Sequence, residues 1–360
     1  MHKTYRVAVV GGCGQWGRHY LRAYAGHAAC EVTLVDRSLD RRARFADYFG
    51  IQQVYTELEE VLSGDVPDIV SLILPVGQSH DAVIACAEAG VKVVSCEKPM
   101  AVSLADADEM VRVCEERGTL FGCGTACWEV PHLLETAAWV RDGHIGLLTA
   151  ASIPGGLPKE VSGSGCVQLT MMRVLTGMEV AWVEGWTLPP EPGWVVPPGE
   201  KEEDVDCPAY GRLGLSGDVV CEVPEPRQGI GCRVWIGAER GQVWLGGPRS
   251  VLIQGEGPMA SPVYPEFLIE DEPNEFFVRI VDRLIHAHDT GEMICSGHDY
   301  RQALEIAIAF KQSAQRNHER ITLPLEDRTL RVFPHPYRLT GGDVAGWESI
   351  GYPGPPDLPE

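Results

Sequence analysis

Apolar and polar residues follow a repeating order through the first third of the chain: a short apolar run, a polar break, then an amphipathic stretch. Residues 6–10 form the first run. Behind them Trp16, Tyr20, Leu21 and Tyr24 recur at helical spacing on one face. Residues 32–35 read as a second strand, 40–49 as a helix stopped by Gly50, and 68–74 as a strand stopped by Pro75. Residues 81–88 predict a helix closed by Gly90, and 91–96 predict a strand. Ser103 and Asp106 frame a capping box. Its helix turns Leu104, Ala107, Val111 and Cys114 to one side and ends at Gly118. Residues 119–123 form a last strand. Strands alternating with helices in this way predict an α/β fold with a doubly wound parallel sheet over residues 1–125.

The pattern changes after residue 125. Residues 131–142 predict a helix, and Gly155, Gly156, Gly163 and Gly165 mark a loop ahead of a helix over 168–175. From 180 to about 269 the alternation is strand-like. Residues 232–236 and 242–245 flank a hairpin turn at Ala238-Glu239-Arg240-Gly241. The proline- and acid-rich stretch 189–206 reads as a surface loop. Helices return over 274–288 and 299–317, the second capped by residues 296–299 and burying Ala303, Ala307, Phe310 and Ala314. The expected organisation is a second domain over 126–323, with late helices free to pack on the first, and a Pro/Gly-rich tail over 324–360. Trp347 and Tyr352 in that tail predict that it lies against a neighbour rather than in solvent.

The first strand leads directly into Gly11-Gly12-Cys13-Gly14-Gln15-Trp16-Gly17, and Asp36 closes the second strand 19 residues beyond Gly17. Gly12, Gly14 and Gly17 make G-x-G-x-x-G. Such glycines serve a tight turn, close approach of backbone to a pyrophosphate, and close packing of helix on strand. The helix start offers unpaired N–H groups and a positive dipole end to phosphates. The acid at the second strand end accepts hydrogen bonds from a ribose. Strand, glycines, helix, strand and acid together predict a dinucleotide site. Asp36 favours NAD over NADP, because a carboxylate repels a 2′-phosphate. Arg37 beside it leaves NADP open, since it can stack on adenine or meet a phosphate.

Composition narrows the partners. The chain has 360 residues, 44% of them hydrophobic, and a formal net charge of -21. That charge disfavours nucleic acid and anionic membrane as partners. Arg37, Arg41, Arg42 and Arg44 cluster beside the ribose position and read as a solvated helix face. Twelve cysteines are scattered through apolar runs without zinc-finger spacing, Cys123 and Cys127 forming a lone C-x-x-x-C. They read as free thiols of a cytoplasmic protein, in keeping with the absence of a signal-peptide pattern before the first strand. His286, His288 and Asp289 resemble a metal set on paper, but positions two apart diverge on a helix, so no metal is expected.

Glu97-Lys98-Pro99 stands at the end of the fifth strand, where a doubly wound sheet lines its ligand crevice. A lysine there can give a proton to a substrate hydroxyl or take one from it. Pro99 fixes the turn, and Glu97 either anchors the chain or touches cofactor. At this point the chain resembles the Gfo/Idh/MocA family of oxidoreductases, which includes glucose-fructose oxidoreductase and inositol dehydrogenase. The resemblance lies in Gly12 to Gly17, Asp36, Pro75 with His80, and Cys96-Glu97-Lys98-Pro99. It continues weakly through Gly143-His144-Ile145-Gly146, Leu175-Thr176-Gly177 and the helix from Ser296.

The resemblance implies a Rossmann domain followed by an α/β domain with an open, mostly antiparallel sheet, whose exposed face commonly joins subunits as a homodimer or homotetramer. It implies oxidation or reduction of a sugar, cyclitol or keto-sugar carbon with NAD or NADP, and makes Lys98 the active-site lysine. The candidate cofactor contacts are Gly12, Gly14, Gln15, Trp16, Gly17, Asp36, Arg37, Leu74, Pro75, His80, Glu97 and Lys98. The family's Asp and His before the apolar helix fall here on Gly163 and Val167, a further acid on Thr170, and an Arg ahead of Pro131 on Trp128. Gly163, Val167 and Thr170 are none of them good proton shuttles. Lys98 is then left as the acid/base, with Glu129, His132, Lys159 and Glu160 as candidate helpers. Trp128, Glu129, His132, Cys166, Val167, Thr170 and Arg173 are the candidate substrate contacts; Cys166 reads more readily as a packed small residue, and Trp128 and Arg173 have equally ordinary packing and ion-pairing roles. Two competing readings stay open: a cofactor-retaining enzyme without net redox change, and a regulatory nucleotide-binding protein that has lost its chemistry.

Overall fold

The computed structural model describes residues 3–125, 130–191, 193–194, 196–230, 233–246, 249–269 and 275–358. The chain divides into two compact units. The first takes Met1–Thr125, Asn274–His298 and His335–Glu360, and the second Ala126–Pro273 and Asp299–Pro334.

The first unit is built on a six-stranded parallel sheet. Its elements run β1 Tyr5–Val10, α1 Gly17–Gly26, β2 Cys30–Val35, α2 Leu39–Phe49, β3 Gln53–Tyr55, α3 Leu58–Leu62, β4 Ile69–Leu72, α4 Val76–Ala89, β5 Val93–Cys96, α5 Leu104–Arg117 and β6 Leu120–Gly122. The strand order is β3-β2-β1-β4-β5-β6, and every pairing is parallel. The order reverses between β1 and β4, which opens a crevice at the carboxyl ends of those strands. Strands β4 and β5 are buried along their whole length, as parallel strands covered on both faces must be. Gly50, Gly90 and Gly118 end α2, α4 and α5 in the left-handed conformation, and the Ser103 Oγ accepts from the Asp106 N–H at 3.1 Å.

Two segments distant in sequence complete this unit. The helix Phe276–Thr290 sets Phe277 edge-on to Tyr20 and against Trp16. The stretch from His335 onward, read from sequence as part of a tail, lies on the unit's own surface: the Arg18 and Arg44 guanidiniums bond the Asp357 carbonyl and carboxylate.

The second unit carries a nine-stranded sheet. Its strands are β7 Leu148–Ser152, β8 Val180–Thr187, β9 Ala209–Leu215, β10 Val220–Val223, β11 Val234–Ala238, β12 Gly241–Leu245, β13 Val251–Gln254, β14 Ser261–Val263 and β15 Ile321–Thr322. They lie in the order β14-β13-β12-β11-β7-β10-β9-β8-β15, mostly antiparallel, with β7 and β10 the parallel pair. The helix Cys166–Thr176 and the helix continuing from Asp299 cover one face; Phe310 packs on Gly185 there. The other face is open. Trp182 lies flat over Gly214, where a Cβ would sit 1.9 Å from the ring, and Trp235 lies over Gly237. Trp186 and Trp244 on this face are 37% and 41% exposed.

Three local expectations change. The α4 helix starts at Val76, five residues before its sequence signal, because Pro75 sits at its N-cap and the polar first turn carries no helical periodicity. Part of the glycine-rich stretch, Val161–Gly165, is a wide helical turn running into Cys166–Thr176. It is held by Asp206, whose carboxylate accepts from the N–H groups of Val161 (3.1 Å), Ser162 (2.8 Å) and Cys207 (2.8 Å) and from the Ser162 hydroxyl. Asp206 was read as the end of a surface loop, and it is buried. Burial first, then the neighbouring Glu160, push its pKa up; the bonds from Ser162 and Val161 pull the other way without winning.

Candidate active site

A cleft of about 590 Å³ opens at the crevice of the first unit. Its floor is the glycine loop and the ends of β1, β2, β4 and β5. Gly11, rather than Gly12, makes the left-handed turn (φ 75°), and a Cβ there would meet the Ile73 carbonyl oxygen at 2.2 Å. Gly12 faces inward, where a Cβ would sit 2.6 Å from Leu34 and 2.9 Å from Leu21. Gly17 presses α1 on the loop, its Cβ position 2.1 Å from the Gly11 carbonyl. Gly14 alone of the motif lines the cleft, and a Cβ on it would meet only the Gly11 oxygen, at 3.3 Å. A backbone bare toward the cleft at a helix start suits an anionic diphosphate.

Asp36 lies in the cleft wall. One carboxylate oxygen accepts from the Cys13 N–H and the other from the Ser38 N–H, both at 2.9 Å, so the loop and β2 are tied together through it. Of the basic cluster after it, Arg37 and Arg44 are exposed as a solvated face would be, whereas Arg41 and Arg42 are engaged. The Arg37 guanidinium pairs with Glu57 at 3.1 Å. Arg42 donates to the Asp36 and Tyr55 carbonyls and to Thr56 Oγ1. Arg41 is held bidentately by Asp343 from the C-terminal segment.

Lys98 lines the cleft with its side chain 7% exposed. Its Nζ stands 3.8 Å from Glu97 Oε2 and 5.4 Å from the centre of the Trp16 ring. Glu97 is buried and accepts from the Tyr20 hydroxyl (2.7 Å) and the Thr125 hydroxyl (2.8 Å), so it anchors β5 to α1 while it faces Lys98. Cys96 and Cys123 are buried nearby, and burial pushes both thiols up, Cys123 to about 12. Neither supplies a thiolate at neutral pH.

Gln15, Trp16, Leu74 and Pro75 line the same cleft. His80 is not among its lining residues; it sits between Asp81 (2.8 Å) and Glu109 of α5 (3.2 Å). Burial opposes protonation of this ring, but the hydrogen bonds to Asp81 and Glu109 outweigh it and raise its pKa. A raised folded-state pKa adds stability below the unfolded value, near 6.5, and that stability is lost as pH rises through the folded value. His80→Gln is therefore expected to cost less than about 1 kcal/mol at pH 6 and nothing at pH 9. Melting curves at the two pH values check this; an equal loss at both would refute it.

The substrate candidates of the second unit are largely engaged. Cys166 is fully buried with its thiol on the Gly163 carbonyl, and Val167 is buried beside it. Thr170 donates to the Cys166 carbonyl at 2.8 Å. Arg173 is buried in a network with Glu179, Asp299 and Gln302. His132 is a buried N-cap residue (φ 57°) near Phe267. Lys159 is exposed and Glu160 buried. Trp128 and Glu129 lie outside the described residues. Among the described residues no cluster has the makings of a metal site, ten cysteines are free, and no helix is long and apolar enough to cross a membrane.

Sequence reasoning missed the fourth wall of the cleft. Tyr337, Arg338, Asp343 and Trp347 line it, and Tyr352 accepts from Gln15 Nε2 at 2.9 Å. The aromatic residues in an otherwise Pro/Gly-rich segment were the available signal.

Comparison with known proteins agrees with this geometry. Residues 5–125 match the family described as an oxidoreductase family with an NAD-binding Rossmann fold. A D-apiose dehydrogenase of Paraburkholderia graminis is 32% identical over 146 residues, covering 40% of this chain and 38% of that protein. A 2,7-anhydro-N-acetylneuraminate hydratase of Mediterraneibacter gnavus is 42% identical over 93 residues, 26% of this chain and 25% of that one. The chain thus spans well under half the length of these curated relatives. A levoglucosan dehydrogenase solved with NADH and levoglucosan shares the fold, with TM-score 0.72 and 17% identity over 90% of this chain and all of that one. Residues 5–125 thus match the Gfo/Idh/MocA family of oxidoreductases with an NAD-binding Rossmann fold.

Proposed function

We propose that the chain is an NAD-dependent oxidoreductase acting on the CH–OH or carbonyl carbon of a sugar, cyclitol or keto-sugar, with Lys98 as the acid/base. The observation that carries the reading is a nearly buried lysine in the same cleft as the bare Gly14 backbone and the Asp36 carboxylate. The glycine loop and α1 start would hold a diphosphate, and Asp36 a ribose. Bound nicotinamide supplies the hydride acceptor or donor. Lys98 takes the proton from the substrate hydroxyl as the carbonyl forms and returns it in the reverse direction. Glu97, fixed by Tyr20 and Thr125, holds the amine in place, and the Trp16 ring face attracts its cationic form.

The residues at 163, 167 and 170 offer no ordinary acid or base, so proton transfer rests on Lys98. The test is a panel of polyols, aldoses and keto-sugars with NAD or NADH, read by nicotinamide absorbance. Turnover of one member is the expected result, and no turnover with cofactor bound would sink the reading. A second reading, a cycle with no net redox change, is favoured by the hydratase among the relatives. It requires product formation with cofactor absorbance unchanged at completion. The open sheet face bearing Trp186 and Trp244 supports assembly with a second copy of this chain, which light scattering would register as a dimer or tetramer.

A further inference from the structure

The segment from His335 lines the dinucleotide cleft and sets one half-exposed carboxylate, that of Asp343, in its wall. Asp343 takes both terminal nitrogens of Arg41, the NH1 contact measuring 2.9 Å, and also accepts from the Trp347 indole at 3.0 Å. The position is set by packing: the Trp347 ring lies against Gly342, where a Cβ would sit 2.5 Å from it. Arg41 is mostly buried, with 16% of its side chain exposed, and its Nε has no partner. The hydrogen bond from Arg41, stronger than the effect of burial, holds the Asp343 carboxyl below its usual range, so the pair is charged on both sides at neutral pH.

We propose that Asp343 is a specificity-determining residue of the dinucleotide site. Arg41 lines the cleft beside Asp36, the ribose-facing acid. An arginine in that place is the group that accommodates a ribose 2′-phosphate when it is free to turn its forked donors to it. Asp343 occupies that fork. A 2′-phosphate must then displace a charge-assisted, bidentate partner and come to rest between two carboxylates, Asp36 and Asp343. A 2′-hydroxyl meets no such opposition. Arg37 is paired with Glu57 but 68% exposed, so its contribution is the same in the wild type and in the Asp343 variants and drops out of the comparison. Discrimination against NADP thus comes from a residue more than three hundred positions beyond the glycine loop as well as from Asp36.

This inference rests on the proposed NAD reading, and the test separates the two. NADH and NADPH are titrated by fluorescence against the wild-type chain, Asp343→Asn, Asp343→Ala, and the double variant Asp343→Ala with Arg41→Ala. The expected result is that either single variant narrows the ratio of NADPH to NADH dissociation constants by about tenfold or more, chiefly by tighter NADPH binding. The double variant returns the ratio to its wild-type value. Wild-type protein that binds neither nucleotide overturns the NAD reading and this inference with it. Wild-type protein that binds NADH, with the ratio unchanged in both single variants, overturns this inference alone. Loss of affinity for both nucleotides in equal proportion also overturns it, since that marks Asp343 as a clasp without selectivity.

Discussion

Lys98→Ala is expected to lower kcat by about 10²–10⁴-fold while NADH binding changes by no more than a few-fold, the range removal of a positioned acid/base costs. The geometry explains why the two effects separate. The glycine loop is held by contacts that do not involve Lys98: Asp36 to Cys13, and Gly17 against Gly11. Glu97 keeps its bonds to Tyr20 and Thr125 when the amine is gone, so it loses its counter-charge but not its hydrogen-bond donors. Lys98→Arg is the sharper variant. It keeps a cation near Glu97 and over Trp16, but a guanidinium does not exchange its proton at neutral pH. If Lys98 acts through charge alone, arginine restores much of the rate; if it carries the proton, arginine is nearly as inactive as alanine. An alanine variant keeping more than about a tenth of wild-type kcat would remove Lys98 from the chemistry.

Asp206→Ala should cost about 3–5 kcal/mol of stability, the largest effect expected outside the cleft. The residue is buried, and its carboxylate is the acceptor for three backbone N–H groups and one hydroxyl in the turn ahead of the helix Cys166–Thr176. Alanine leaves those donors without a partner away from water. Because burial and Glu160 raise the Asp206 pKa, the folded form loses stability as pH rises through that raised value. Glu160→Gln removes the neighbouring charge, so the melting temperature of that variant should depend less on pH through this range than the wild type. Chemical denaturation of Asp206→Ala within about 1 kcal/mol of wild type would show that the turn is held by something else.

The sheet of the first unit was legible because each of its signals is local. A strand period, a glycine stop and a capping serine act within a few residues, so alternation alone produced β1, β2, β4, β5 and β6. The dinucleotide loop was legible for the same reason, though the left-handed residue is Gly11 and not the first glycine of the motif. What escaped depends on distant partners. Asp206 lies in an acidic, proline-rich stretch whose composition says surface, and only its bonds to residues forty-odd positions earlier make it structural. His80 matched a motif by spacing, but its ring is taken up by Asp81 and by Glu109 of the neighbouring helix α5. Arg41 and Arg42 looked like a solvated face because their partners, Asp343 and the Tyr55 carbonyl, are invisible to any window centred on them.

The first unit is assembled from three separated stretches, and this bears on how it forms during translation. When the ribosome has released Thr125, all six parallel strands exist, yet the aromatic side of α1 still lacks Phe277, and Arg41 and Gln15 still lack Asp343 and Tyr352. Expressed on its own, the segment ending at Thr125 is therefore expected to aggregate through the apolar side of α1 that Phe277 covers in the whole chain.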